Sequence, residues 1–214
     1  MRRALALALV LALALVFGVV ACTPASTDGS ERVTLSDGSF ALQWGDGDYG
    51  VVLVVGEGET PDDWSALAVE IAAHRMTVLA PDPEGSGVER LVAAADAIAG
   101  GGIERVAYVA SGTQGAQLLA ALARSGAALD QLIVISGSLS DGELADLGQP
   151  PKLFAASEGD GPGVADATRL ANEAAGTWNA LLVVPGSDRG PLILDSEGGD
   201  ELISGIVARL EERR

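Results

Sequence analysis

Cysteine, histidine, basic residues and aromatics are all scarce in this 214-residue chain, and each scarcity removes a class of function. The single cysteine, Cys22, cannot close an internal disulfide, so no oxidative framework holds the fold. With one histidine, His74, the chain also lacks the clustered ligands that transition-metal sites favour, and neither a metal nor a cofactor is expected. The acidic groups Asp46–Asp48 and Glu158–Asp160 lack the spacing of a calcium loop and read as turns. Gly56-Glu57-Gly58 and Gly85-Ser86-Gly87 lack the lysine that a phosphate loop requires. Thirteen basic residues against 30 acidic ones make nucleic acid and anionic headgroups poor partners. Aromatics form only 4% of the chain, which points to helix-on-sheet layers packed with small aliphatic side chains.

What is present begins with Arg2-Arg3 and an uncharged run from Ala4 to Ala21, a basic start and apolar middle with the layout of a secretory signal. Val19-Val20-Ala21-Cys22 resembles the bacterial lipobox, which implies cleavage before Cys22 and lipid attachment there. The polar stretch Thr23–Ser30 offers that cysteine no core to be buried in and reads as a tether. The resulting division is a signal peptide over 1–21, a lipidated cysteine and tether over 22–31, and a domain over 32–214. An uncleaved apolar helix is the alternative, its 18 residues lying near the lower limit for spanning a bilayer. Both readings place the domain on the outer face of the cytoplasmic membrane, in the cell envelope. Removing residues 1–21 takes away two arginines and no acids, so 11 basic and 30 acidic residues remain.

From Arg32 onward, strand-like and helix-like patterns alternate. Val33–Leu35 and Phe40–Trp44 flank Asp37-Gly38, a hairpin signal. Val51–Val55 is a continuous β-branched and leucine run fit for a strand covered on both faces. Similar runs at Thr77–Leu79, Val106–Val109, Leu132–Ile135, Leu153–Ala156 and Leu181–Val184 are separated, for the most part, by helical stretches. These predict helices at Trp64–Ala73, Val88–Ala99, Gly115–Ala123, Val164–Ala174 and Glu201–Leu210. The fold class is therefore α/β, with a mostly parallel sheet of about eight strands, an antiparallel N-terminal hairpin, helices on both faces and no lid domain. Ligands of such sheets bind beyond the C-terminal strand ends.

One strand-to-helix turn carries a chemical signature. Ser111-Gly112-Thr113-Gln114-Gly115 follows the strand ending at Val109 and leads into an Ala/Leu helix. It resembles the nucleophile elbow of α/β-hydrolases, with Thr113 at the nucleophile position. Val55-Gly56-Glu57-Gly58, with Asp63-Trp64 after it, resembles the family's oxyanion loop. Ala80–Gly87 resembles its Asp-x-x-Gly-x-Gly loop. Pro151–Asp160 resembles the strand and turn that carry the catalytic acid, with Asp160 at the acid. Gly186–Gly190 resembles the turn of the catalytic base, with Arg189 in its place. The likeness runs in order from about Val33 to Leu210. It implies an α/β-hydrolase fold, oxyanion positions at Glu57 and Gln114, and a degenerate triad of Thr113, Asp160 and Arg189.

Arginine stays protonated and offers no acceptor, so Arg189 cannot take a proton from a hydroxyl. His74 lies on the helix before the Met76–Ala80 strand, which places it at the far end of the sheet from the elbow. Three readings follow. The first is a non-catalytic binding or scaffolding lipoprotein, a monomer whose partner is a small molecule or an envelope protein and whose membrane contact is its lipid anchor. The second is an acyl hydrolase using Thr113 with an unrecognised base. The third is an α/β domain sharing only geometry with the hydrolases. Under the first, Arg189 is expected to pair bidentately with Asp160 and lock the two loops together; the alternatives are an Asp160 turned to solvent, leaving Arg189 to an anionic ligand, and an Arg189 that points to water.

Overall fold

The computed structural model describes residues 28–56, 58–83, 87–212 and 214. Eight strands form one sheet: β1 (Glu31–Thr34), β2 (Phe40–Trp44), β3 (Tyr49–Val54), β4 (Met76–Pro81), β5 (Val106–Ser111), β6 (Gln131–Ile135), β7 (Lys152–Ser157) and β8 (Asn179–Val184). Their spatial order is β1-β2-β4-β3-β5-β6-β7-β8. The first hairpin is antiparallel, and β2 also pairs antiparallel with β4. Every remaining pairing is parallel.

Every residue of β3 to β7 is buried, because both sheet faces are covered. The period-2 alternation divides them between two cores. Val52, Val54, Tyr108 and Ala110 enter one, which also takes apolar side chains from α2 (Gly87–Gly100), α3 (Gly112–Arg124), α4 (Asp141–Asp146) and α5 (Gly161–Glu173). Val51, Leu53, Ala107 and Val109 enter the other, closed by α1 (Ser65–Ala73) and α6 (Gly199–Glu211). The eight-stranded sheet, the edge hairpin and the two helical layers agree with the sequence reading.

Two local features depart from it. Asp28, assigned to the tether, accepts hydrogen bonds from the Trp44 indole at 3.3 Å and the Ser65 hydroxyl at 3.0 Å, so the chain is packed onto the domain before residue 32. The short helix α4 lies where the periodicity predicts none. Its N-cap Ser140 and Glu143 form a reciprocal capping box, a signal already present in Ser140-Asp141-Gly142-Glu143.

The chain passes from β3 to β4 on one side and returns to β5 on the other, so the strand order reverses beside β3. That reversal opens a crevice at the C-terminal ends of β3, β4 and β5. The crevice positions the candidate site. Cys22 and the whole signal segment lie outside the described residues. Among the described residues, no helix is long and apolar enough to cross a membrane.

Candidate functional site

At the end of β5 the chain turns directly into α3, and the residue that makes this possible is Gly112. Its φ is +64°, a left-handed conformation that costs an L side chain about 1–2 kcal/mol and costs glycine almost nothing. In a nucleophile elbow the strained apex residue carries the attacking side chain. Here the apex is one position earlier than the sequence reading placed it, and it has no side chain. Thr113 sits instead in the first turn of α3, exposed. The same shift moves the amide that follows the apex from Gln114 to Thr113. A register centred on Thr113 puts small residues on both sides of it, which is why sequence spacing favoured it. Backbone strain decides otherwise.

Ser111, just before the apex, is 2% exposed and donates its hydroxyl to Oε1 of Glu59. Glu59 stands in the loop after β3. Its Oε2 accepts the Gly56 N–H at 2.8 Å and the indole N–H of buried Trp64 at 3.2 Å. One carboxylate thus gathers a backbone amide, an indole and a hydroxyl at the C-terminal ends of β3 and β5. Glu57, assigned to an oxyanion position, lies outside the described residues. The acid whose carboxylate meets the Gly56 amide is Glu59, which sequence reasoning missed. The available signal was an acid three residues after Gly56, at the spacing that lets a side chain fold back onto a backbone amide.

The loops after β7 and β8 meet as expected. The Glu158 N–H bonds to the Val184 carbonyl, the Gly159 N–H to the Gly186 carbonyl and the Ser157 hydroxyl to the Asp188 carbonyl, all at 2.7–2.8 Å. Asp160 is the N-cap of α5, and its Oδ1 accepts from the Gly163 amide at 3.1 Å. Nη2 of Arg189 donates to that same oxygen. The pair is single-pronged, where a bidentate fork was expected, because the Asp160 side chain is 2% exposed and capping its own helix while Arg189 is 63% exposed. Water surrounds the guanidinium, so the pair contributes about 0–1 kcal/mol. The next residue, Gly190, has φ +58°, and a Cβ there would lie 3.4 Å from the Ser111 Oγ and 3.7 Å from the Glu59 Oε1. The loop after β8 therefore closes over the Gly112 turn and the Glu59 carboxylate.

His74 is far from all of this, as the sequence placed it. It terminates α1 and pairs with Glu211 at 2.8 Å and Glu70 at 3.4 Å. Both partners raise its pKa above the ordinary histidine value, the Glu211 hydrogen bond most. Gln114 lies in the first turn of α3 and lines a cavity of about 410 Å³ between the ends of β3 and β4 and the starts of α2 and α3.

No family model and no curated relative matches the chain. Solved structures do. A dienelactone hydrolase from Anabaena variabilis superposes with a TM-score of 0.72 at 15% identity, covering 86% of this chain and 97% of the other. A predicted CIB-like hydrolase from Thermoplasma acidophilum gives 0.66 at 15% identity, covering 86% and 98%. A hormone-sensitive lipase from a metagenome library gives 0.63 at 16% identity, covering 89% and 88%. The chain has the α/β-hydrolase fold. At these identities the likeness concerns the fold alone. Within it, the turn from β5 into α3 has a glycine at its left-handed apex, Asp160 caps α5, and Arg189 pairs with Asp160.

Proposed function

We propose that this protein is an exported, lipid-anchored binding domain that keeps the α/β-hydrolase fold without its acyl-transfer chemistry. The observation that carries the reading is Gly112 at the left-handed apex of the elbow, where a nucleophile would need a side-chain oxygen or sulfur. Two further contacts support it. Arg189 pairs with Asp160 and cannot act as a base, and Glu59 holds a carboxylate at the C-terminal ends of β3 and β5, where its charge would repel a developing oxyanion. The apolar segment before Cys22 and the polar stretch after it support anchoring at the outer face of the cytoplasmic membrane, as a monomer meeting a small molecule or an envelope protein. Esterase action through Thr113 is the competing reading. Thr113 lies in the first turn of α3 and is outside the left-handed position.

A fluorophosphonate probe, which modifies activated hydroxyls, separates the two. The full-length chain should show no adduct by intact mass after prolonged exposure. A stoichiometric adduct mapped to Thr113 or Ser111 would reverse the proposal.

A further inference from the structure

The two edge strands of the sheet treat their outward backbone groups differently. At one edge β1 has four residues and carries Glu31 and Arg32, the latter with its guanidinium 4.3 Å above the Phe40 ring. Short length and charge protect an edge from pairing. At the other, β8 has six residues in unbroken register with β7 and carries no charge, proline or bulge. The Lys152 and Glu158 N–H groups bond to the Trp178 and Val184 carbonyls, so even-numbered residues turn their backbone groups toward β7. Asn179, Leu181 and Val183 therefore turn theirs outward, and among the described residues no backbone group pairs with them. Leu181 is 41% exposed on this edge, and Trp178, just before it, 57%. The absence of charge extends over residues 174–187, in a chain of net charge −17. That absence selects the kind of partner. In a contact related by a two-fold axis, each charge near the axis faces its own like, so a strongly acidic chain pairs with itself only through an uncharged segment. A basic partner would instead be met by acids, and β8 offers none.

We propose that β8 pairs antiparallel with β8 of a second copy of this chain, about a two-fold axis at Leu181. The outward groups of Asn179, Leu181 and Val183 then meet those of Val183, Leu181 and Asn179 of the copy in about six hydrogen bonds, and Trp178 comes opposite Val184 of the copy. The protected β1 edge stops the assembly at two, where β8 pairing on β1 would propagate. A contact this narrow is weak, with a Kd of about 0.1–1 mM, so the chain is a monomer at micromolar concentration and pairs where anchoring confines it to one surface. That gain at the surface rests on the lipid-anchored reading, and the pairing itself does not.

Leu181→Cys puts a thiol at the axis, where the two Cα atoms would lie about 5.5 Å apart, within disulfide reach. The full-length variant in phosphatidylcholine vesicles is oxidised with copper phenanthroline, and the disulfides are mapped by peptide mass. The 181–181 disulfide should exceed by about tenfold or more the 97–97 disulfide of Ala97→Cys, an exposed position on α2, which packs against β3 and β4. Val183→Pro removes only an outward N–H, so it should fold as the wild type does and, added to Leu181→Cys, lower the 181–181 yield by about tenfold or more. In detergent, sedimentation of the wild type from about 10 µM to 1 mM should show a rising mean mass, and that of Leu181→Lys, with two ammonium groups at the axis, a constant one. A 181–181 yield no greater than the 97–97 yield, or one that Val183→Pro leaves unchanged, would overturn the pairing, as would a constant wild-type mass. If Val183→Pro fails to fold, the Ala97→Cys comparison and Leu181→Lys still decide it. Flotation with the vesicles reports the anchor separately. A chain left behind would defeat the anchored reading, and the sedimentation would still judge the pairing.

Discussion

Replacing Glu59 with alanine removes the acceptor on which three segments converge. Its carboxylate takes the Gly56 amide at 2.8 Å, the Trp64 indole at 3.2 Å and the Ser111 hydroxyl. A hydrogen bond to a charged group contributes about 1.5–3 kcal/mol net, so three set an upper bound of roughly 9 kcal/mol. That bound is not reached, because Glu59 is only half-buried and water can follow the deleted side chain. Trp64, at 0% exposure, is the donor that water serves least. Leaving one such donor unsatisfied costs about 1–3 kcal/mol. The expected loss is therefore about 3 kcal/mol for Glu59→Ala and about 1 kcal/mol for Glu59→Gln, which keeps an acceptor. Urea denaturation followed by tryptophan fluorescence measures both, with the slope unchanged if the unfolded state is unaffected. Formate at high concentration should restore part of the alanine variant's stability by occupying the vacated donors, and should do little for the wild type. A loss below about 0.5 kcal/mol for Glu59→Ala would refute the claim that this carboxylate organises the elbow.

Asp160→Asn keeps an acceptor for the α5 cap and should cost less than about 1 kcal/mol, whereas Asp160→Ala loses cap and pair together and should cost about 1–2 kcal/mol by the same denaturation. Gly112→Ala meets open space but an unfavourable backbone, so about 1–2 kcal/mol is expected, against less than about 0.5 kcal/mol for the exposed Thr113→Ala. Lys152 is 1% exposed and donates to the carbonyls of Gly148, Pro150 and Ala175 at 2.7–2.8 Å, so Lys152→Met should lower stability by about 2 kcal/mol through three stranded acceptors. His74 should titrate above 6.5 by NMR, and Glu211→Gln should lower its midpoint. Because the raised pKa belongs to the folded state, the His74 contribution is complete below the ordinary imidazole range and fades as pH rises through the raised midpoint.

Periodicity carried the architecture because the sheet's demands are written into long runs. Tyr49–Val54 and Val106–Ser111 are buried throughout, and no other element tolerates so many β-branched and small apolar residues between Asp/Gly turns. The pairing of the loops that hold Asp160 and Arg189 was legible for a related reason, since consecutive parallel strands bring their C-terminal loops together. What was not legible depended on dihedral angles and on side chains folding back. Gly112 and Thr113 differ by one register step, and only the positive φ separates them. Glu57 and Glu59 are equivalent acids in sequence, and the turn closed by the Glu59 N–H on the Gly56 carbonyl is what aims the Glu59 carboxylate at the amide. The single-pronged Arg189 contact likewise follows from Asp160 capping its helix, a competition that spacing does not reveal.

Whether the elbow holds a working nucleophile is decided by steady-state hydrolysis of a short activated ester by the wild type and by Thr113→Ala. Equal rates are predicted, both near the uncatalysed background. A loss of about a hundredfold or more on removing the Thr113 hydroxyl, the scale expected when a functioning nucleophile is deleted, would contradict the non-catalytic reading.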